Sequence, residues 1–319
     1  MNSVRLGALA GAAAIALGIA TPVAAEPVSV YVTAIVEHPA LDAARDGVRD
    51  ELEEQGFELD FEYQSAQGNP ATAAQIARQF VGEGPDVIVP ISTPSAQAVV
   101  AATQDIPVVF TAVTDPVGAQ LVEDLDAPGG NVTGVSDLSP LEDHLKLIRE
   151  IMPEAEGLGV PYNPGEANAV TLVSILSEIA PTYGFNIVEA PAPRTADVLG
   201  AAQSLIGKVD AIYVPTDNTI VSALEAVLSV GADSDIPVFS GDTDSVERGA
   251  IATVGFDYYQ VGRQTGEVVA RVLNGEDPGT IPVRNASGTD LFVNPAAAES
   301  MGIELSQELI DRAHTVVGQ

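Results

Sequence analysis

The sequence predicts an α/β protein with parallel β-sheets, organised as two similar domains. Short apolar runs alternate with segments whose apolar residues recur at helical spacing, which is the pattern of βαβ units. Parts of the first half also reappear about 120 residues later. The chain has 319 residues, of which 46% are hydrophobic, and this is enough material for two separate cores.

The first half contains four predicted strands and three predicted helices. The first helix shows clear periodicity, with Leu41, Ala44 and Val48 on one face, and Asn69-Pro70 is a start signal for the second. In order, the elements are strand Val28–Val36, helix Ala40–Gln55, strand Leu59–Gln64, helix Ala71–Val81, strand Asp86–Ile91, helix Pro94–Thr103 and strand Ile106–Ala112.

The second half repeats this order and part of the sequence. The run DVIVPISTPSAQAVV at Asp86–Val100 is similar to DAIYVPTDNTIVSALEAV at Asp210–Val227, and an IPV strand follows each. No linker rich in Pro, Gly or Ser separates the halves. The predicted elements are strand Gly157–Tyr162, helix Ala167–Tyr183, strand Asn186–Ala190, helix Thr195–Ile206, strand Ala211–Val214, helix Ile220–Val230 and strand Pro237–Ser240.

Residues 1–25 have the pattern of a cleaved secretory signal peptide. One Arg precedes an apolar run rich in Ala and Gly, and Val23-Ala24-Ala25 supplies small residues before Glu26. The run is too weakly apolar for a membrane anchor, and the chain has no Cys that a lipid could modify. We therefore expect a periplasmic protein without direct membrane insertion.

The chain is strongly acidic. It carries 45 Asp and Glu residues against 13 Lys and Arg, for a formal charge of −32, which becomes −33 when the single Arg of the signal peptide is removed. Such a charge repels nucleic acid and anionic membranes, so we expect no nucleic-acid partner. The scarcity of Lys predicts a halophilic protein with a heavily hydrated surface.

Polar residues stand at every predicted strand end. Parallel sheets bind ligands at the carboxyl ends of their strands, and the recurrence in both halves favours a ligand site over isolated turns or helix caps. The predicted ligand-binding residues are Glu37, Ser92, Thr93, Ser95, Thr114, Asp115, Ser136, Tyr162, Asn163, Asn168, Thr216, Asp217, Asn218, Asp242, Asp257 and Tyr258.

These residues suit a zwitterion. Ser92, Thr93 and Ser95 open a helix whose N-terminal N–H groups favour a carboxylate, although the same residues also fit a cap. No predicted strand end carries an arginine apart from Arg248, which favours a ligand with at most one carboxylate. An ammonium group would pair with one of three aspartates, Asp115, Asp217 or Asp242. Tyr162 or Tyr258 would contact an aromatic group.

The sequence shows no enzyme signature. It lacks a G-x-S-x-G elbow, a Walker loop and an H-E-x-x-H motif, and of its three histidines only His38 lies at a strand end. We therefore predict no catalytic residue, metal or cofactor.

Several long runs resemble the substrate-binding proteins of ABC transporters, in the tryptophan/tyrosine-type family. They are VEHPALDAARDGVRDEL (Val36–Leu52), QSAQGNPATAAQIARQFV (Gln64–Val81), TDPVGAQLV (Thr114–Val122), PGGNVTGVSD (Pro128–Asp137), YVPTDNTIVSALEAV (Tyr213–Val227) and FSGDTDSVERGAIATVGFDYYQVG (Phe239–Gly262). The resemblance implies a type I periplasmic-binding fold, in which two Rossmann-like domains are joined by three crossovers. The crossovers are expected near Val135–Leu138, Val254–Asp257 and Arg284–Asp290.

The resemblance also implies a division of the chain and a partner. The N-terminal lobe would comprise residues 26–135 and 257–283, and the C-terminal lobe residues 136–256 and 284–319. The protein would be a monomer that delivers its ligand to the membrane permease of an ABC importer. An aromatic amino acid is the expected ligand; the alternatives are a sugar or nucleoside in the same cleft, or an enzyme of carbohydrate or ester chemistry.

Overall fold

The computed structural model describes residues 27–318, so the predicted signal peptide lies outside the described residues. The fold is α/β, with parallel sheets and helices, as predicted. No helix among residues 27–318 has the length and apolar character needed to cross a bilayer.

The first sheet has six parallel strands in the order β11-β5-β4-β3-β1-β2. Apolar side chains pack on both of its faces, because helices cover both. Its elements are β1 (Val28–Ala34), α1 (Pro39–Glu54), β2 (Leu59–Ser65), α2 (Pro70–Glu83), β3 (Val87–Ile91), α3 (Thr93–Val100), β4 (Val108–Val113) and β5 (Val132–Ser136), with α10 (Tyr258–Leu273) and β11 (Arg284–Asn285) returning to it. We call this unit the N-terminal lobe.

The C-terminal lobe contains a parallel sheet in the order β7-β6-β8-β9 and a small sheet in the order β10-β12-β13. The β10–β12 pair of the small sheet is antiparallel, which the sequence pattern did not predict. The elements are α4 (Leu141–Ile151), β6 (Gly157–Tyr162), α5 (Ala167–Ile179), β7 (Asn186–Pro191), α6 (Val198–Ser204), β8 (Ala211–Val214), α7 (Asn218–Ser222), α8 (Leu224–Asp233), β9 (Val238–Ser240), α9 (Thr243–Arg248), β10 (Ala252–Phe256), β12 (Thr289–Val293), α11 (Pro295–Ser300), α12 (Gln307–Arg312) and β13 (Thr315–Val316).

The chain passes between the sheets of the two lobes three times: after β5, between β10 and α10, and between β11 and β12. Ser136 and Arg284–Asn285 pair within the first sheet, whereas the predicted boundaries place them in the C-terminal lobe. The division into the two predicted lobes otherwise stays a prediction.

Three predicted helices differ in type or continuity from those observed. The helix predicted over Ala167–Tyr183 becomes 3₁₀ after Ile179, and the one predicted over Ile220–Val230 is two helices that meet at Ala223. The helix predicted over Thr195–Ile206 begins as 3₁₀ at Thr195–Asp197 and is α-helical over Val198–Ser204. The segment 114–131 between β4 and β5 contains turns and bends but no helix or strand.

Helices α1 and α10 pack closely against each other in the N-terminal lobe. Gly47 faces the backbone of α10, because a Cβ added to it would meet the Tyr259 carbonyl oxygen. Gly262 faces the backbone of α1, because a Cβ added to it would meet the Ala44 carbonyl oxygen. Glycine therefore allows the close approach of these two helices.

Candidate functional site

The strand ends of the two lobes line a narrow cavity of about 340 Å³, a volume that includes space open to solvent. We call it the inner cavity. Both lobes contribute its walls, so the lobes are closed upon each other. The lining residues are His38, Ala40, Leu41, Ala112, Thr114, Asp137, Asn168, Thr216, Asp217, Asn218, Val221, Asp242 and Tyr258.

Asp137 forms the polar floor of the inner cavity. Its Oδ2 accepts a hydrogen bond from the Tyr258 hydroxyl at 2.6 Å, and its Oδ1 accepts one from Thr114 Oγ1 at 3.3 Å. Burial raises the pKa of Asp137, while these two hydrogen bonds lower it. Asp137 follows β5 and Tyr258 begins α10, so this bond joins the first two crossovers.

Two more buried carboxylates line the C-terminal side. Asp217 caps α7 through the Ile220 N–H at 3.0 Å and accepts the Asn163 N–H at 2.5 Å. Asp242 caps α9 through the Ser245 N–H at 2.8 Å and the Ser245 hydroxyl at 2.7 Å. Burial raises the pKa of both, and the neighbouring Glu166 carboxylate raises that of Asp217 further. The cavity is therefore an acidic, desolvated environment that favours a cation.

Four polar atoms at the starts of α3 and α5 are buried without a hydrogen-bond partner among residues 27–318. They are Ser92 Oγ, Thr93 Oγ1 and Ser95 Oγ at the start of α3, and Asn168 Oδ1 in the first turn of α5. The two helices belong to different lobes and contact each other across the cleft. An unpaired polar atom in a folded interior is costly, so this group indicates a place where a ligand supplies the missing bonds.

Ser92 also has an unusual backbone. Its φ of 77° and ψ of 157° lie in a region that only glycine adopts readily, immediately after β3. This conformation turns the chain sharply from the strand into α3, which begins with the other two unpartnered hydroxyl residues, Thr93 and Ser95.

A second space lies between the lobes, outside the first. This outer cavity measures about 640 Å³ with the space open to solvent included. Its walls are Ile35, Val36 and Pro94 of the N-terminal lobe, and Asn163 and other residues of the C-terminal lobe. Asn218 lines both cavities, so the two spaces adjoin.

The family model for ABC transporter substrate binding proteins matches residues 29–317, which is nearly the whole described chain. The chain belongs to this family. The resemblance predicted from sequence is thereby confirmed, and with it the type I periplasmic-binding fold.

Three relatives illustrate the similarity of this binding protein. A tyrosine-binding protein of Clostridioides difficile is 39% identical over 277 residues, which is 86% of this chain and 80% of that one. A conserved domain protein of Vibrio cholerae has a TM-score of 0.90 at 52% identity, and the ABC domain of Streptococcus pneumoniae in complex with L-Trp has 0.88 at 34%. Each structural match covers 91% of this chain and 100% of the other.

In this binding protein, seven of the predicted site residues line the inner cavity. The three hydroxyl residues at the start of α3 do not line it. Asn163 lines the outer cavity, where its side chain bonds Thr219 and Glu166. The seven at the inner cavity are Thr114, Asn168, Thr216, Asp217, Asn218, Asp242 and Tyr258.

Five further predicted residues line neither cavity. Asp115 accepts the N–H of Gly118 in its own turn, and Asp257 caps α10. Glu37 is exposed, where it bonds Gln67. The Tyr162 hydroxyl donates to Glu189 at 2.7 Å, away from the cavity. Ser136 Oγ donates to the backbone carbonyl of Thr114, whose side chain lines the cavity.

Three titratable residues that line the cavities were absent from the predicted set: His38, Asp137 and Glu166. Burial lowers the pKa of His38 to about 3, with the positive charge of Arg248 as a smaller cause, so His38 is neutral. Its Nδ1 has no partner within the described part of the chain. All three follow predicted strands directly or by a few residues, and that position was the signal that could have identified them.

Proposed function

We propose that this binding protein captures a zwitterionic aromatic amino acid between its closed lobes. The four unpartnered buried polar atoms at the facing ends of α3 and α5 carry the proposal. Hydroxyl groups at a helix N-terminus suit the carboxylate of the ligand, and the buried aspartates beside them suit its ammonium. A zwitterion carries both of these charges.

The apolar side of the inner cavity would receive the ligand's side chain. Ala40, Leu41 and Val221 line it together with the neutral ring of His38. The relatives support this assignment, since one is a tyrosine-binding protein and another was solved with L-Trp. Tyr258 donates its hydroxyl to Asp137, so its ring is fixed at the floor of the same cavity.

The proposal includes delivery to the permease of an ABC importer by a secreted, monomeric, periplasmic protein without catalytic activity. The family membership supports the permease, and the pattern of residues 1–25 supports export. Mass spectrometry of the mature chain checks two of these points: an N-terminus at Glu26, and the mass of one chain under native conditions.

Calorimetric titration with the twenty amino acids tests the ligand class. We expect heat with tyrosine, tryptophan or phenylalanine, and none with acidic amino acids, because the cavity is itself acidic. Sugars and nucleosides belong in the same panel. Binding of those compounds without any aromatic amino acid would refute the proposal, as would the absence of heat with all three aromatic amino acids.

A further inference from the structure

Glu166 is a buried carboxylate that collects hydrogen bonds from four residues around it. Its exposed fraction is 7%. Oε2 accepts from Asn218 Nδ2 at 2.5 Å and Oε1 from Thr219 Oγ1 at 2.7 Å, and both backbone N–H groups of this pair donate to it as well. The side-chain amides of Asn163 and Asn168 complete the set, so both oxygens are occupied by donors of the protein.

This arrangement determines how the amide of Asn168 is oriented. Asn168 Nδ2 lies 3.1 Å from the Thr216 carbonyl oxygen and 3.4 Å from Glu166 Oε2. Both neighbours are acceptors only, so the amide nitrogen must face them and the amide oxygen must face away. That oxygen is buried and has no partner among residues 27–318, while Asn168 lines the inner cavity and is 3% exposed.

An amide oxygen accepts hydrogen bonds and cannot donate them, so Asn168 Oδ1 requires a donor from the ligand. The buried aspartates of the cavity are already engaged: Asp217 and Asp242 cap helices, and Asp137 accepts from Tyr258 and Thr114. They contribute negative charge, whereas Asn168 offers an unused acceptor with a fixed direction.

We propose that Asn168 Oδ1 accepts the ligand's α-ammonium group, and that Glu166 is the positioning residue that holds the amide of Asn168 in the receptive orientation. The inference rests on the proposed function and deepens it. The sequence had pointed to aspartates for the ammonium; the geometry points to an amide oxygen within their field.

Replacing Glu166→Gln tests the positioning role. Gln keeps the shape but removes one acceptor: with its NH₂ group at the Oε2 position it meets the NH₂ groups of Asn168 and Asn218, and the Thr216 carbonyl alone then orients the Asn168 amide. An amide held from one side only presents its oxygen to the ammonium for part of the time. We expect the affinity for L-tyrosine to fall by up to about 100-fold, which is the range for losing a hydrogen bond to a charged group. The affinity for 3-(4-hydroxyphenyl)propionate, which lacks the amino group, should not fall.

Two further variants complete the experiment. Asn168→Asp in the Glu166→Gln background lets Gln donate to the new carboxylate and returns an acceptor to the ligand, so L-tyrosine affinity should recover. Asn168→Leu keeps Glu166 and removes the whole amide, which is the acceptor for the ligand and the donor to Glu166 and Thr216. It should weaken L-tyrosine and spare the desamino acid even if the Glu166→Gln protein does not fold.

Equal weakening of both ligands in Asn168→Leu and Glu166→Gln would overturn the inference, because it would show a merely structural role. Unchanged L-tyrosine affinity in Asn168→Leu would also overturn it. If the unaltered protein binds none of the aromatic amino acids, the proposed function fails and the inference fails with it; if it binds them and the variants behave otherwise than expected, only the inference fails.

Discussion

At the scale of single residues, Ser92 combines strain with an unsatisfied hydroxyl. Its φ of 77° carries a cost of about 1–3 kcal/mol for a residue with a side chain, and glycine would relieve it. The Ser92 hydroxyl has no hydrogen-bond partner inside the described protein. The strained backbone therefore gains no compensating hydrogen bond in the unliganded fold.

We expect Ser92→Gly to raise the free energy of unfolding by about 1 kcal/mol, since the relief of strain exceeds the extra chain entropy of glycine. The same change should weaken aromatic amino acid binding, because the hydroxyl is lost. Denaturant unfolding and calorimetry measure the two effects. Ser92→Ala is the matched control: it removes the hydroxyl and retains the strain, so binding should weaken without a gain in stability.

His144 makes the stability of the C-terminal lobe sensitive to acid. Its Nε2 donates to the Val254 carbonyl and its Nδ1 accepts from the Tyr213 hydroxyl, both at 2.7 Å, and burial lowers its pKa from 6.5 to about 4. The unfolded chain therefore binds more protons than the folded chain between these values.

The titration of His144 should therefore lower the free energy of unfolding as the pH drops from about 6.5 to about 4, by up to about 1.4 kcal/mol per pH unit. The raised pKa of Asp137 acts in the opposite direction, so the difference between variants is the informative quantity. His144→Phe should be less stable at neutral pH but lose less on acidification. Denaturant titrations at several pH values measure this, and parallel pH profiles for both proteins would contradict it.

At the scale of elements, the contact between α1 and α10 depends on glycine. A side chain at Gly47 would meet the backbone of α10, which cannot move aside as a flexible side chain would. Because α10 begins at the second crossover, this contact also holds the end of α10 that carries Tyr258.

Gly47→Ala should therefore lower the free energy of unfolding by about 1–3 kcal/mol through overpacking. Gly82→Ala is the control, because Gly82 lies in α2 with no atom within 4 Å of an added Cβ. That change should be neutral or stabilise by up to about 1 kcal/mol through helix propensity. Thermal unfolding of the two variants measures the contrast, and similar midpoints would argue against the close contact.

The sequence predicted elements best where the pattern was local. Strands β3 and β4 are buried throughout, and their continuous apolar runs predicted them. The break between α7 and α8 at Ala223 was missed because apolar periodicity continues across it. In the site, Asp115 and Asp242 are both strand-end aspartates, yet only Asp242 lines the cavity. Which acid faces the cleft depends on how the following turn closes, and the residue type does not reveal this.

At the scale of the whole molecule, the formal charge of −32 generates self-repulsion that favours the unfolded chain. Salt shortens the Debye length from about 30 Å at 0.01 M to about 3 Å at 1 M. We expect the unfolding midpoint to rise with salt over this range. An uncharged osmolyte of equal osmolality separates screening from water exclusion, and a midpoint that is flat in salt would contradict the halophilic interpretation.

The hydrogen bond between Tyr258 and Asp137 has a consequence for the sequence of events during capture. It ties two of the three crossovers together, so the floor of the cavity stands on the segments that join the lobes. Joining segments are displaced least when two lobes separate, and we therefore expect the floor to keep its shape in an open form. We expect the ligand to contact this floor before the walls close over it.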